Sequence, residues 1–292
     1  MIKRWIVCGL LLAQGVLAQQ SASSWNQGAT RCPFLDERVD PVCSLKLTYL
    51  LPANTDLDSD FSMLELDADA ELYYIHDILL GDLDLRLDLS TDFPLNRGDV
   101  DLPSQFLMFA MDGRWTWRYV NDTAFQWRLA PGFYSQVEGL SDDSIAMPVT
   151  FLGIKTFDPT WSAVAGLSLR FGFKHVVMPM AGVVWMPSDQ IRVEAMLPTS
   201  RAIIYLMPSW AVHAGASWES VTYLLPDDSL QREHVTFEDV RLSIGVTHEI
   251  SNELRIGVEL GRVANRTISF ERGGHTSVES APLLSIQIGG AF

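Results

Sequence analysis

The chain has 292 residues, of which 48% are hydrophobic, and carries a formal net charge of −15 with a pI near 4.7. So acidic a chain argues against nucleic acid as a partner, because binding to phosphates requires clustered lysine and arginine. The mean hydropathy of +0.12 suits a chain in which about half of each strand faces lipid, and it suits a soluble protein equally well.

The amino terminus has the three parts of a secretory signal peptide. Lys3 and Arg4 are positively charged, the residues from Trp5 to Leu12 are apolar, and a small-residue cleavage site ends at Ala18. The apolar run is too short to span a bilayer. We therefore predict that residues 1–18 direct export of the chain and are then removed.

The following segment, residues 19–43, shows no strand or helix periodicity, and we interpret it as a periplasmic lead-in or a small plug. In an exported chain, Cys32 and Cys43 are most simply predicted to form one disulfide that staples this segment before the first strand. A metal site is the alternative, but no histidine or further cysteine lies near the pair. We predict no bound metal.

Residues 44–292 alternate apolar and polar side chains with a period of two, as from Leu83 to Leu89 and from Phe125 to Leu129. No apolar run in this region approaches the roughly 20 residues that a membrane helix needs. If the chain crosses a membrane, it must do so as a closed barrel, which alone satisfies the backbone of strands in lipid. The pattern predicts an all-β, transmembrane, antiparallel up-and-down β-barrel of about 12 strands, within a range of about 10–14.

Charge is segregated along the chain. Between Asp56 and Asp92 there are twelve carboxylates and one arginine, Arg86. Seven carboxylates share the polar face of two adjacent predicted strands and are predicted to form an acidic wall of the lumen: Glu65, Asp67, Asp69, Glu71, Asp82, Asp84 and Asp88. The polar faces of later predicted strands supply a basic wall: Arg118, Arg128, Arg170, Lys174, Arg241 and Arg255.

Opposed walls of this kind would produce either a field across a wet pore or a salt-bridge network that fills the lumen. About eight strands leave an interior filled by side chains and about sixteen leave a water channel, so about 12 strands suit a narrow polar passage. Crowded carboxylates need water, pairing or bound cations. The acidic wall therefore predicts a preference for small cations.

Two further motifs bear on chemistry. Asp56, Asp58 and Asp60 have the spacing of the first ligands of a calcium loop, but the glycine that the loop needs is missing, so we predict an acidic turn. His275 and Ser277 have the spacing found in outer-membrane phospholipases, but they follow two glycines in a predicted external loop with no group to orient the histidine. We predict no catalytic residue and no cofactor.

The carboxy-terminal stretch alternates Leu284, Ile286 and Ile288 with small or polar residues and ends on Phe292. This ending is similar to the closing strand of bacterial outer-membrane β-barrels. The resemblance implies that these four residues are the signal read by the barrel-insertion machinery. It also implies that the chain resides in the bacterial outer membrane, in contact with its lipid.

The stretch from Val183 to Leu225 carries a pattern of tryptophan and proline: Trp185-Met186-Pro187, Met196-Leu197-Pro198, Ile203 to Met207, and Trp210. With this spacing it resembles an uncharacterised family of bacterial outer-membrane β-barrels, a domain of unknown function. The resemblance covers about the last half of the chain. It implies the barrel fold and transfers no functional residue.

A soluble β-sandwich is the main alternative fold, since its strands also have one apolar and one polar face, in the opposite sense. Three features favour the membrane barrel: the terminal phenylalanine, aromatic residues near strand ends, and glycines on the polar faces. Glycine on a concave inner wall relieves crowding and permits curvature.

The leading functional hypothesis is a narrow porin-like channel for small solutes or ions. A closed structural or surface-interaction barrel with a salt-bridged lumen is the alternative. A barrel lipid hydrolase that uses Ser277 is a further one.

Overall fold

The computed structural model describes residues 42–98, 100–119, 122–136, 144–225, 233–251, 254–271 and 273–290. The signal peptide, Cys32 and Phe292 lie outside these ranges. The export signal, the disulfide and the role of Phe292 in barrel insertion therefore stay predictions. Among the described residues, no helix is long and apolar enough to cross a membrane.

Seventeen β-strands make up the described part of the chain. Their bounds are β1 (Cys43–Asn54), β2 (Asp60–Ile78), β3 (Gly81–Asn96), β4 (Phe106–Tyr119), β5 (Thr123–Leu129), β6 (Gly132–Gln136), β7 (Ile145–Ala146), β8 (Val149–Asp158), β9 (Trp161–Leu169), β10 (Val177–Ser188), β11 (Ile191–Leu197), β12 (Thr199–Met207), β13 (Trp210–Leu225), β14 (Glu233–Ser251), β15 (Leu254–Phe270), β16 (His275–Val278) and β17 (Ala281–Gly290).

The strands form one antiparallel sheet that closes on itself, because β1 pairs with both β2 and β17. Leu47, for example, lies opposite Leu66 on one side and Ile286 on the other. The short strands β5 and β6, β7 and β8, and β16 and β17 lie end to end, so the barrel has 14 strands around its wall. The prediction of a closed antiparallel barrel is confirmed, whereas the estimate of about 12 strands was too low.

The strand β8 shows why the estimate was low. Its inner face carries Leu152 and Ile154, which are 5% and 1% exposed, and its outer face carries Phe151. Because both faces are apolar, the period-two contrast that marks the other strands is absent. In addition, residues 190–206 fold as two short strands, β11 and β12, that meet at Pro198.

The two ends of the barrel differ. One end, here named the turn end, holds the first residue of β1, the last residue of β17 and the tight turns 79–80, 159–160, 189–190 and 208–209. The opposite loop end holds longer connections, which include residues 97–105 and 170–176. Apart from Pro198, which alone joins β11 and β12, the described connections at the loop end are longer than those at the turn end, as they are in outer-membrane barrels.

Apolar side chains face outward around the barrel. Ile244 is 64% exposed, Ile286 is 46% exposed and Leu47 is 42% exposed, whereas the inward Asp112 and Asp239 are 0% and 3% exposed. A sandwich would bury its apolar faces between two sheets, so the single closed sheet with an apolar exterior rules out that alternative.

The barrel narrows at its loop end, where β13 reaches β6. Leu224 and Ser135 form a parallel bridge, and the Ser135 hydroxyl donates to the Leu224 carbonyl at 3.1 Å. This contact closes a smaller ring from β1–β4, β6 and β13–β17, close to the about eight strands whose interior side chains fill. An apolar cluster, here named the apolar plug, occupies the ring: Leu50, Phe61, Met63, Val100, Leu102, Phe106, Tyr134, Phe173, Tyr223, Val235, Phe237, Val263, Ile268, Val278 and Leu283.

Phe106 lies fully buried in the apolar plug, with its ring centroid 4.9 Å from that of Tyr223 and 5.2 Å from that of Phe237. We expect Phe106→Ala to lower the free energy of unfolding by about 3–5 kcal/mol, because it leaves a cavity in a closed ring. Urea unfolding of the detergent-folded protein measures this loss. The control is Phe109→Ala on the outer face, which should cost clearly less; equal losses would contradict the inward assignment.

Candidate functional site in the lumen

The seven carboxylates of the predicted acidic wall lie on two neighbouring strands. Glu65, Asp67, Asp69 and Glu71 are in β2, and Asp82, Asp84 and Asp88 are in β3. Antiparallel register places Asp69 opposite Asp88 and Glu71 opposite Arg86. The leucines and alanines between them lie on the opposite, outer face of the two strands, so the carboxylate faces point to the lumen.

Three of these carboxylates pair with arginines of nearby strands rather than with a basic wall across the lumen. Arg86 contacts Asp69 at 2.6 Å, and Arg118 contacts Asp82 at 2.9 Å. Arg128 is 3.6 Å from Asp88. These arginines come from β3, β4 and β5. They therefore offset much of the negative charge that β2 and β3 bring to this side of the barrel.

Asp112 is part of this network but was not predicted from the sequence. It is fully buried in β4 and accepts from Arg114 at 2.9 Å and from Arg128 at 2.8 Å. A single aspartate on the polar face of an otherwise aromatic strand was the available signal. Its importance follows only from the strand pairing that brings Arg128 beside it.

A second ion-pair cluster crosses the lumen beneath the apolar plug. Arg241 of β14 donates to both carboxylate oxygens of Glu65 on β2, at 2.7 and 2.8 Å. Asp239 accepts from Arg241 at 2.8 Å and from Arg266 Nε at 2.7 Å. We name these four residues the cross-lumen cluster; Glu65, Asp239 and Arg266 are 4%, 3% and 2% exposed. The cluster thus places four mutually paired charged side chains inside the lumen below the plug.

On the turn-end side of this cluster the lumen holds a cavity of about 400 Å³. Side chains of β1, β12–β15 and β17 line it, and they include Lys46, Arg201, His213, Arg255 and Glu259. None of the seven predicted acidic-wall residues, all of which the structure describes, is part of this lining. The accessible space therefore lies on the side of the barrel opposite β3 and β4.

The cavity has an unsatisfied cationic group. Lys46 is paired with Glu259 at 3.1 Å, but Arg201 Nε is buried and has no hydrogen-bond partner among the described residues. His213 lies over Gly245 of the neighbouring strand, where a Cβ would be 2.5 Å from His213 Nε2. Glycine at this inward position thus makes room for the imidazole in the cavity wall.

Arg170 and Lys174 are not part of a strand wall. The predicted strand through Lys174 is wrong, because β9 ends at Leu169 and the chain turns at Gly172, which has a φ of +87°. Arg170 donates to the Ser220 carbonyl at 2.5 Å, and Lys174 bonds to a carboxylate at the outer surface. Phe171 and Phe173 continue the period-two alternation of β9 beyond its last residue, Leu169, so the sequence pattern does not mark the end of this strand.

A third sector of the inner wall is apolar, which the sequence did not indicate. Leu152, Ile154 and Val164 are at most 5% exposed and pack with Ala124, and Met180 and Met196 contact the cluster. These side chains belong to β5 and β8–β11. The interior therefore has an ion-paired sector, an apolar sector and a polar sector that contains the cavity.

The other two motifs lie toward the loop end of the barrel. Asp56 and Asp58 lie in the β1–β2 connection, and the described residues contain no group of histidine, cysteine or carboxylate side chains suited to a metal. His275 and Ser277 lie in strand β16 and not in a loop, which corrects that prediction. Both are exposed, and no hydrogen bond joins their side chains among the described contacts.

No family model matches the chain, and a search of curated proteins found no relative. Among solved structures, the chain is similar to the KdgM porin in complex with disordered oligogalacturonate, with 8% identity and a TM-score of 0.37 over 85% of this chain and 99% of that one. It is also similar to an outer membrane channel from Pseudomonas putida F1, with 11% identity and a TM-score of 0.43 over 92% and 100% of the two chains.

A further similarity is to the Pseudomonas putida toluene transporter TodX, with 8% identity and a TM-score of 0.39 over 86% of this chain and 89% of that one. Identities and TM-scores this low carry no argument about activity or substrate. The resemblance of residues 183–225 to a domain of unknown function therefore stays an expectation.

The pair of Glu65 and Arg241 provides a test of the cross-lumen cluster. We expect Arg241→Met to lower the free energy of unfolding by about 3–5 kcal/mol, because it leaves buried carboxylates without their cation. Adding Glu65→Gln should recover part of that loss in a double-mutant cycle followed by urea unfolding. The exposed pair of His234 and Glu271 is the control: Glu271→Gln should cost about 1 kcal/mol or less. Additive losses at Glu65 and Arg241 would contradict the contact.

Proposed function

We propose that this protein is a bacterial outer-membrane β-barrel that passes small polar solutes through its lumen. The observation that carries the proposal is the combination of an exposed apolar exterior with a charged, cavity-containing interior. Such an exterior is stable only against hydrocarbon, since a soluble monomer does not expose apolar area on this scale. A polar cavity inside that exterior is the property of a channel.

The membrane location is supported by strand length and by the outward residues of the last strand. Strands β13, β14 and β15 have 16, 19 and 17 residues, more than the about 9–11 that cross a bilayer. Leu284, Ile286 and Ile288 of β17 are 38%, 46% and 42% exposed and so are available to lipid and to insertion machinery. The predicted export signal agrees with this location.

For solute class, we propose small anions or zwitterions. The hypothesis of cation preference depended on the acidic wall. Four of its seven carboxylates are ion-paired, and all seven lie outside the cavity lining. The cavity instead contains Lys46, Arg201, Arg241 and Arg255 beside Glu219, Glu249 and Glu259. Because Arg201 Nε is buried without a partner, a carboxylate or similar anion would satisfy it.

A closed structural barrel is the second candidate, and the apolar plug is the observation that favours it. Single-channel recording in a planar bilayer separates the two. Discrete conductance steps support the channel, whereas silence of folded, inserted protein would favour the closed barrel. A lipid hydrolase has no comparable support, because His275 and Ser277 share no side-chain contact.

Removal of the unsatisfied cation tests the solute class. We expect Arg201→Gln to lower the permeability ratio of chloride over potassium severalfold, measured as a shift of reversal potential in a salt gradient. Arg262→Gln on the outer face of β15 makes the same change of charge outside the cavity and should leave the ratio unchanged. An unchanged ratio for Arg201→Gln would contradict the proposed anion preference.

The membrane location makes a separate prediction about the middle of β14. We expect Ile244→Arg to lower the free energy of unfolding in lipid bilayers by about 2–4 kcal/mol, because an outward charge meets hydrocarbon. The matched control is Thr247→Arg on the inner, cavity-lining face of the same strand, which should cost much less. Reversible urea unfolding in vesicles measures both; equal costs would count against a lipid-facing β14.

A further inference from the structure

The barrel wall is lower on one side than on the other at the loop end. The last paired residues of β12 and β13 at this end are Thr199 and Ser217. The next contact is a hydrogen bond of 3.0 Å that the Trp218 amide donates to the Pro198 carbonyl. Beyond this point β13 continues to Leu225, and no strand of the described residues pairs with it on that side until Leu224 meets Ser135 of β6. This leaves a side opening in the sheet, bounded by β13, by β6 and by the loop-end tips of β9–β12.

Residues 170–176, here named the closing segment, occupy the side opening. Arg170 donates to the Ser220 carbonyl on the free edge of β13 at 2.5 Å. The amide of Lys174 donates to the Thr222 hydroxyl at 3.2 Å. The segment thus covers an edge that no strand pairs with, as loops commonly do at unpaired sheet edges.

The closing segment passes through the wall from the inside to the outside. Phe173 points inward, is 7% exposed and packs with its ring centroid 5.0 Å from that of Tyr134. The Arg170 guanidinium lies 4.3 Å from the centroid of the Phe173 ring. On the outer surface, Lys174 and His175 both bond to Glu238 of β14.

The cavity reaches this opening, whereas its path along the barrel axis is blocked. Ser200, Ser217 and Glu219 line the cavity, and Glu219 immediately precedes the Ser220 carbonyl that Arg170 holds. Along the axis, the cross-lumen cluster and the apolar plug lie in the way. The closing segment contributes only Phe173 to the apolar plug, so moving this segment would connect the cavity to the exterior with the rest of the plug in place. An axial route would require unpairing buried charges and opening the whole plug.

We propose that solute leaves the lumen sideways, between β6 and β13, and that the closing segment is the gate of this route. Lys174, His175 and Glu238 surround the outer mouth, so the route opens to water beside the barrel rather than into hydrocarbon. Opening breaks two edge hydrogen bonds and the surface contacts to Glu238, and it withdraws Phe173 from Tyr134. The inference depends on the proposed channel function.

A covalent lock tests the gate. We expect a Lys174→Cys/Glu238→Cys protein, joined by a short bis-thiosulfonate reagent, to lose conductance in planar bilayers and to recover it after reduction. The matched control joins His234→Cys and Glu271→Cys, an exposed pair whose side chains are 2.5 Å apart at the same end but away from the opening. That lock should leave conductance unchanged.

A second variant opens the same gate. We expect Arg170→Ala/Phe173→Ala to raise the conductance or the open probability severalfold, because it removes the inward ring and the edge contact. Every variant is first shown to be folded by its strand circular dichroism and by its resistance to SDS before heating.

The outcomes separate the gate from the channel. If the unmodified protein conducts and the Lys174–Glu238 lock changes nothing, the sideways route is overturned and the channel stands. If the unmodified protein is silent and Arg170→Ala/Phe173→Ala conducts, both are supported. If all folded variants are silent, the channel and its gate are both overturned.

Discussion

The closure of β1 onto β17 is the contact on which the rest of the molecule depends. A sheet without edges satisfies its own backbone, so its exterior can be apolar all the way round. The same closure forces every polar face inward, where charges are removed from bulk water. Desolvated charges persist only when they are paired and hydrogen-bonded, which is the state of Glu65, Asp112 and Asp239.

That constraint divides the lumen into sectors with different capacities. Where strands that carry arginines lie beside strands that carry carboxylates, as in β2–β5, the side chains form ion pairs with one another and offer few free charges to a solute. Where β8–β11 face inward, leucine, isoleucine and methionine form an apolar patch, and polar side chains on the same strands bond to one another, as Arg192 does to Glu194 and Thr150 to Ser168. Among the described residues, the sector formed by β12–β15, β17 and β1 combines small residues with charges that are not fully committed, and the cavity lies there. The cavity thus lies in the sector of the lumen that neither ion pairs nor apolar side chains fill.

Strand alternation was enough to predict the closed antiparallel barrel. The number of strands was less accessible, because β8 is apolar on both faces and β11 and β12 are short. The pairing of Glu65 with Arg241 could not be predicted, since it joins residues 176 apart in sequence across the lumen. Such a contact depends on the stagger of strands around the barrel, which alternation does not encode.

Unequal strand length explains why closure at the loop end and an opening in the wall occur together. Strands β13, β14 and β2 have 16, 19 and 19 residues, whereas β11 and β12 have 7 and 9. Because β13 extends beyond the end of β12, its edge is unpaired there, and it contacts β6 and the closing segment instead. The tall strands then form a ring small enough for side chains to fill. At the free edge of β13, the closing segment and not a strand completes the barrel wall.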